Sequence, residues 1–195
     1  MNVPVDLIKQ LRVKTGLGMV ECKTALEQTN NNLEAALDYL RKKGIKISEK
    51  KAARETRQGT IGSYIHTNGK IGVLIEVNCE SDFVARTDDF KELVKNLTLQ
   101  ITAANPSWID RESVPADIIE KQKAAFAEMY KDKPEAVREK IAIGKLEDFY
   151  KEMVLLDQLY IRDDKFTIKD CLTEKIAKLG ENIRIKRFVR YELGE

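Results

Sequence analysis

The sequence predicts an α+β protein, with an N-terminal three-helix bundle followed by a small antiparallel β-sheet that packs with helices and a helical hairpin. Two patterns favour this class. Apolar side chains recur at helical spacing through the first 45 residues. Residues 61–77 instead alternate apolar and polar side chains around an Asn-Gly turn, which is typical of a β-hairpin.

The first domain is predicted to span residues 1–45 as three short helices. Pro4 suits the first turn of the first helix, and Gly16 is placed to end it. A second helix follows this turn. Asn32 can cap a third helix, which we expect Gly44 to end. Three helices in so few residues form a compact bundle.

A basic segment, residues 41–57, contains eight basic and two acidic side chains and no regular apolar face. This composition is typical of a solvated linker that is partly helical at most, and we assign the linker to residues 46–58. Clustered Lys and Arg side chains can also neutralise the phosphates of RNA. We favour the linker because no aromatic side chain is interleaved for base stacking.

Residues 59–195 are predicted to form an α+β core that opens with the hairpin. Ile61 and Ile65 supply apolar positions in its first strand, and Asn68 and Gly69 supply the positive φ angles of its turn. The second strand keeps strict period two with Ile71, Val73, Ile75 and Val77. The apolar face of such a hairpin needs a cover of helices.

Helical patterns provide that cover. An amphipathic helix is predicted to start at Asp88 or Asp89 and to stop at Asn105. Two further segments, at about 115–131 and 134–153, are separated by a short turn and predict a helical hairpin.

The chain is predicted to end in a helix and a strand. Thr167 and Asp170 start the helix, and Gly180 ends it. One side of the closing strand carries Ile183, Ile185, Val189 and Tyr191, interrupted by Arg187. We expect this strand to join the hairpin from a distant part of the sequence.

Composition narrows the class of protein. The chain has 195 residues, of which 43% are hydrophobic and 34% charged, and its net charge of +2 means that any basic patch is local. No apolar run approaches the ~20 residues of a membrane span, and we find no signal segment. The three cysteines lack metal-ligand spacing. We therefore expect a cytoplasmic protein without a cofactor or metal site.

His66 and Cys79 are the residues that a base and a nucleophile would require, with carboxylates nearby. A hairpin separates them, and no glycine-rich oxyanion turn follows Cys79. We interpret them as a surface histidine and a buried structural cysteine, so no catalytic residue is predicted. The chain also lacks a Gly-x-x-x-x-Gly-Lys-Ser/Thr loop, which argues against nucleotide binding by the chain itself.

Residues 77–84 are the most informative stretch, because an apolar strand ends there in polar residues that are followed by an aromatic. A carboxylate beside an aromatic at the tip of a strand is suited to insertion into a partner. Asp82 can compete for a polar site, and burial of the Phe83 ring is worth about 1.5–3 kcal/mol. The alternative is that Phe83 packs into the core of its own chain.

Three separated blocks stand out in the sequence, namely residues 11–12 with 15–26, residues 64–84 and residues 180–192. Together they resemble the signatures of the elongation factor Ts family, the exchange factors for elongation factor Tu. Ser81 departs from the pattern, since the family usually carries Thr there, but both side chains offer a hydroxyl. The chain is similar to short members of the family, which have a single core repeat.

The resemblance implies a fold, a function and a contact surface. The bundle would have a fold like the ubiquitin-associated domain, and the protein would promote GDP release from elongation factor Tu without being an enzyme. The side chains of Asp82 and Phe83 would insert into the partner near its magnesium site. The expected partner-binding residues are Leu11, Arg12, Met19, Val20, Lys23, Ser81, Asp82, Phe83 and Val84.

The short members of the family further imply a homodimer, and hence a complex of two chains with two partner molecules. A single core repeat leaves a face or edge of the small sheet uncovered, which self-association would cover. The competing hypothesis is an RNA- or ribosome-binding adaptor. It would use the basic segment and a strand face formed by Arg184, Lys186 and Arg190.

Overall fold

The computed structural model describes residues 3–195, which divide into two compact units. The first unit contains residues 3–59, 78–90 and 172–184, and the second contains residues 60–77, 91–171 and 185–195. The first two residues of the predicted bundle lie outside the described part. The predicted domain boundaries, at residues 45 and 58, stay a prediction.

Helices and a small sheet together confirm the predicted α+β class. The helices are α1 (Val5–Thr15), α2 (Met19–Gln28), α3 (Leu33–Lys51), α4 (Asp82–Ala85), α5 (Asp88–Ala104), α6 (Ala116–Met129), α7 (Glu135–Met153) and α8 (Ile168–Leu179). The strands are β1 (Gln58–Ile65), β2 (Ile71–Cys79), β3 (Leu159–Tyr160), β4 (Asp163–Thr167) and β5 (Ile183–Glu192). Among the described residues, we find no helix with the length and apolar character needed to cross a membrane.

The first unit begins with α1, α2 and α3, whose apolar faces share one core. The predicted caps are confirmed. Gly16 adopts a left-handed conformation with φ of 65°, and its N–H donates to the carbonyl of Arg12. The side chain of Asn32 accepts a hydrogen bond of 3.0 Å from the N–H of Ala35. The buried members of this core are Val3, Ile8, Leu11, Cys22, Ala25, Leu26, Ala36 and Leu40.

The predicted end of the third helix at Gly44 is wrong, because α3 continues to Lys51. Gly44 is buried in the middle of the helix. A Cβ atom at this position would lie 3.6 Å from the Cβ of Ala177 and 3.8 Å from the Cγ2 of Thr173, both in α8. Packing against α8 therefore outweighs the weak helix propensity of glycine, and half of the predicted linker is helical.

The sheet of the second unit has the strand order β1-β2-β5, so β2 lies in the middle. Val73, Ile75 and Val77 of β2 are buried. Gly62 of β1 faces the same side, since a Cβ there would lie only 2.3 Å from the Cγ1 of Val94 in α5. The predicted cover by the amphipathic helix is thus confirmed, with glycine allowing the close approach.

Ile61 and Ile65 lie on the opposite face of the sheet, which corrects their predicted place beneath the helix. Side chains alternate along a strand, so the inward position of Gly62 turns both isoleucines outward. They are 66% and 67% exposed. In the turn, Gly69 alone supplies a positive φ, of 68°, whereas the predicted positive φ of Asn68 is not observed.

The apolar residues of the closing strand β5 lie on both faces of the sheet, whereas the sequence predicts a single apolar side. Ile185 is buried, but Val189 and Tyr191 are exposed. The Nε of Arg187 donates to Glu76 at 2.8 Å, and Glu76 alternates with the buried residues of β2. Arg187 and the residues that alternate after it therefore lie on the outer face of the sheet.

The helices α6 and α7 pack against each other, as the helical hairpin predicts. A small core at their base contains Val114, Tyr150 and Val154. Arg111 stabilises this base through bidentate hydrogen bonds of 2.8 Å to Glu147, and its guanidinium lies 4.5 Å from the centre of the Tyr150 ring.

The strands β3 and β4 form an antiparallel pair that the sequence analysis did not predict. Most residues of β4 are charged or exposed, so the segment lacks an apolar alternation. The buried Gln100 of α5 instead holds β3, the partner strand, because it donates to the carbonyl of Leu159 and accepts at 2.9 Å from the N–H of Ile161, which follows β3. This buried amide is a tertiary contact that has no local sequence signal.

We predict that Gly62→Ala lowers the free energy of unfolding by about 1–3 kcal/mol, because its methyl group would overlap Val94. Val94 is β-branched and on a helix, so its side chain cannot rotate away easily. Chemical denaturation measures the change. In a Val94→Ala background the added methyl has room, and the same substitution should cost less. An equal cost in both backgrounds would refute the assigned contact.

Candidate protein-binding site

The site forms where β2 ends and α4 begins. Ser81 is the N-cap of α4, and its hydroxyl oxygen accepts a hydrogen bond of 3.4 Å from the N–H of Val84. This turn directs Phe83 outward, leaving its side chain 78% exposed. Phe83 therefore does not pack into its own core, which removes the alternative left open by the sequence.

Asp82 and Val84 flank the exposed ring. Asp82 forms an ion pair of 2.8 Å with Arg86, one turn further along, and its side chain remains 45% exposed. Val84 is half-buried beside the ring. An exposed carboxylate next to an exposed phenylalanine offers a partner one charged contact and one apolar contact.

Glu181 holds the residue that starts this turn. Its two carboxylate oxygens accept hydrogen bonds from Ser81, at 2.9 Å from the backbone N–H and at 2.6 Å from the hydroxyl. A reciprocal bond runs the other way, since Glu80 accepts 2.6 Å from the N–H of Asn182. The segment before α4 and the segment after α8 are thus joined at consecutive residues.

Glu80 is also close to a cation. The guanidinium of Arg54 lies 3.4 Å from its carboxylate. The N–H of Asn182, and to a lesser degree Arg54, lower the pKa of Glu80 below its ordinary value. The carboxylate is therefore ionised at neutral pH, and its charge strengthens the hydrogen bond from Asn182.

Asn182 connects this network to the chain that follows α3. Its side chain is buried, and its amide donates to the carbonyl of Arg54 at 2.8 Å and to that of Ala52 at 3.4 Å. Lys51 donates to the carbonyl of Gly180. Residues 51–54, which fall within the predicted solvated linker, are therefore held against the C-terminal end of α8.

The same end of α8 contacts the turn between α1 and α2. Lys178 lies against Gly16, where a Cβ atom would come within 2.7 Å of its Nζ. Lys178 and Lys175 both donate to Asp89, at 2.6 and 2.9 Å. These two lysines lower the pKa of Asp89 below its ordinary value.

The second group of predicted contact residues lies on the bundle. Met19, Val20 and Lys23 at the start of α2 are exposed, as is Arg12 of α1. Leu11 is fully buried in the bundle core, so it has a packing role and we leave it out of the contact set. All the predicted site residues lie in the first compact unit.

The arrangement around Cys79 excludes its use as a nucleophile. The thiol is buried and donates to the carbonyl of Ser81 at 3.1 Å. Burial, followed by the nearby charge of Glu181, raises its pKa to about 11. Among the described residues, no group of three or more His, Cys, Asp or Glu side chains is arranged to hold a metal ion.

The basic segment is partly neutralised within the first unit. Besides the bonds of Lys51 and Arg54, Arg57 pairs with Glu55 at 2.7 Å. The basic strand face of the adaptor hypothesis also loses a member, because the side chain of Arg190 is 8% exposed and pairs with Glu192. These contacts weaken the case for an RNA-binding surface built on both elements.

Sequence reasoning missed the residues that support the site. Glu181 and Asn182 belong to one of the three characteristic blocks, yet they lie 100 residues along the chain from the residues that they hold. Asp89 was considered only as a helix start. No local pattern links these positions, since the contacts exist only after α8 has packed.

The chain belongs to the elongation factor Ts family, whose family model, described as "Elongation factor TS", matches residues 7–195. It is therefore a translation elongation factor. It is 54% identical over 195 residues to elongation factor Ts of Thermotoga maritima, covering 100% of this chain and 98% of the relative. The factor of Fervidobacterium nodosum is 53% identical over 197 residues, with both chains covered completely. That of Anaeromyxobacter sp. (strain K) is 50% identical over 198 residues, covering 90% of its length.

We predict that Asp89→Asn lowers the free energy of unfolding by about 1–2 kcal/mol at pH 7, because it removes the charged acceptor of two lysines. The folded pKa of Asp89 lies below its ordinary 3.8, so its stabilisation is present above that pH and is lost as the pH falls through the folded pKa. Urea titrations between pH 2.5 and 7 measure this difference.

The adjacent Asp88 is exposed and provides the matched control. Asp88→Asn should change stability much less than Asp89→Asn. If the two variants lose the same stability, or if the effect of Asp89→Asn does not decrease as the pH falls below 3.8, then the lysine contacts do not stabilise the fold.

Proposed function

We propose that this protein is a guanine nucleotide exchange factor that binds elongation factor Tu and promotes GDP release during translation elongation. Family membership supports the partner. The observation that carries the proposal is the position of Phe83, an exposed aromatic on a turn whose first residue is fixed by Glu181. Such a ring is suited to insertion into another protein.

The mechanism is reciprocal linkage. A factor that binds nucleotide-free partner more tightly than nucleotide-bound partner lowers the affinity of the partner for nucleotide by the same factor. Asp82 and Phe83 would supply this difference by displacing groups around the magnesium ion of the partner. No covalent bond is broken, so the protein is not an enzyme in the chemical sense. It also needs no nucleotide site of its own.

A second contact would come from the bundle, through Arg12, Met19, Val20 and Lys23. Exposed apolar side chains beside a lysine can bind a partner surface that has both apolar and acidic groups. Both contacts belong to the same compact unit, and the end of α8 holds the turn before α2 as well as the turn before α4. The two contacts are thereby arranged before binding, which reduces the entropy lost on association.

We predict that Phe83→Ala slows exchange strongly while leaving the fold intact. The ring is exposed, so the melting temperature should hardly change. Loss of a central aromatic contact should cost about 2 kcal/mol of transition-state binding, or about thirtyfold in the second-order rate of exchange. The assay is release of a fluorescent GDP derivative from elongation factor Tu in the presence of excess GDP.

Met129→Ala is the matched control, because Met129 is a similarly exposed apolar residue, at 68%, on α6. It should leave the exchange rate unchanged. A wild-type rate for Phe83→Ala, or no acceleration of release by the unmodified protein, would overturn the proposed function.

We propose further that the protein is a homodimer whose two chains bind two partner molecules. The outer face of the sheet supports this. It contains exposed apolar side chains from all three strands, namely Ile61, Ile65, Leu74, Val189 and Tyr191. Gly72 lies among them, with its Cβ position 3.0 Å from Ile65. An apolar face of this breadth is typical of an interface, and a two-fold axis would pair it with itself.

We predict that Ile65→Lys weakens this dimer, because it would place two buried charges in a symmetric interface. Light scattering at micromolar concentration should give twice the 22.3 kDa of one chain for the wild type and a lower mass for the variant. Ile143→Lys, at an equally exposed position on α7, should remain dimeric. A wild-type mass of one chain at every concentration would contradict the proposal.

A further inference from the structure

Ser81 sits between a strand and a very short helix, and neither element fixes its direction. The helix α4 has four residues. A single turn forms few internal hydrogen bonds and pays the full cost of helix nucleation, so it is not stable by itself. The orientation of Asp82 and Phe83 must therefore come from contacts outside α4.

Glu181 provides the strongest of these contacts. Both of its oxygens are used, one by the N–H and one by the hydroxyl of Ser81. Two hydrogen bonds to one carboxylate fix both the peptide plane and the side-chain rotamer of Ser81. The rotamer matters, because the same hydroxyl oxygen accepts the bond from Val84 that starts α4.

The hydrogen bond between Glu80 and Asn182 makes this arrangement rigid. It joins Glu80, which precedes Ser81, to Asn182, which follows Glu181. Residues 80–81 and 181–182 are therefore paired at two consecutive positions. Asn182 is itself fixed by its buried amide. Glu181 is thus anchored on one side and holds Ser81 on the other.

We propose that Glu181 is a positioning residue for nucleotide exchange, which acts by holding Ser81 so that Phe83 and Asp82 are presented to the partner. This inference rests on the proposed function. Glu181 need not touch the partner, because it would act through the two hydrogen bonds that it accepts from Ser81. Its contribution is to order the turn in the free protein, so that less conformational entropy is lost on binding.

The first experiment compares Glu181→Gln with the wild type. Glutamine has the same shape but only one acceptor, so its amide NH2 would face one of the two Ser81 donors. We expect the second-order rate of GDP release to fall about tenfold, as for loss of one charge-assisted hydrogen bond. Hydrogen exchange of the amides of residues 81–86 should accelerate, while that of α5 should not change. Glu34→Gln, an exposed carboxylate of α3, is the control.

Two substitutions of Ser81 test its hydroxyl, which donates to Glu181 and accepts from Val84, and they keep the test valid if Glu181→Gln is poorly folded. Ser81→Thr retains both donors, so its exchange rate should fall much less than that of Ser81→Ala. Ser81→Ala loses the hydroxyl, and its exchange rate should fall towards that of Glu181→Gln. Equal rates for the alanine and threonine variants would overturn the inference.

A double-mutant cycle with Phe83→Ala tests whether Glu181 affects the exchange rate through Phe83. If Glu181 acts through Phe83, adding Glu181→Gln to Phe83→Ala should slow exchange by less than about twofold, instead of tenfold. The same tenfold loss in both backgrounds, or no loss in the wild-type background, would show that Glu181 does not position the ring. A Phe83→Ala variant with the wild-type rate would instead refute the proposed function, which keeps the two failures distinct.

Discussion

The candidate protein-binding site depends on one interaction, the pairing of residues 80–81 with residues 181–182. Each segment offers a carboxylate and a backbone N–H, and each carboxylate accepts from the opposite segment. One segment follows a strand and the other follows a helix, so neither element can satisfy these polar groups by itself. Because hydrogen bonds to carboxylates are short and directional, the pairing sets the path of both segments. The buried amide of Asn182 extends this constraint to the residues that follow α3.

This constraint explains how an exposed aromatic can have a defined direction. Burial of a phenylalanine is worth about 1.5–3 kcal/mol, whereas ordering a single backbone residue costs about 1–2 kcal/mol. The two quantities are similar, so a ring on a mobile loop would gain little from binding. A turn that is ordered beforehand leaves most of the burial free energy for the partner. The lysines around Asp89 have a related role, since one of them also supports the Gly16 turn before Met19.

The second unit shows which features of a strand its sequence periodicity can predict and which it cannot. Alternation identified β1, β2 and β5, but it could not show which side of β1 meets α5. Gly62 decided this, because only a residue without a side chain allows Val94 to approach the sheet. Ile61 and Ile65 were consequently left on the outer face. The change of side after Ile185 is likewise revealed only by the contact of Arg187 with Glu76, which lies more than 100 residues away in sequence. Both errors concern faces, and both arise from partners that are distant in the chain.

The sequence by itself determined most of the helices and the three strands β1, β2 and β5, because their signals are local. Some local signals depend only on neighbouring residues, and the structure has them where the sequence predicts them. They are the caps at Asn32 and Gly16, the Thr167–Asp170 pair at the start of α8 and the Gly69 turn. The Asp82–Phe83 pair at the end of a strand and the three characteristic blocks were also visible in the sequence, whereas the exposure of the Phe83 ring was not. Only the tertiary structure could extend α3 beyond Gly44, since the packing of α8 overrides a local stop signal. Only the tertiary structure could place Glu181 on Ser81, because a contact across 100 residues requires both segments to be folded first.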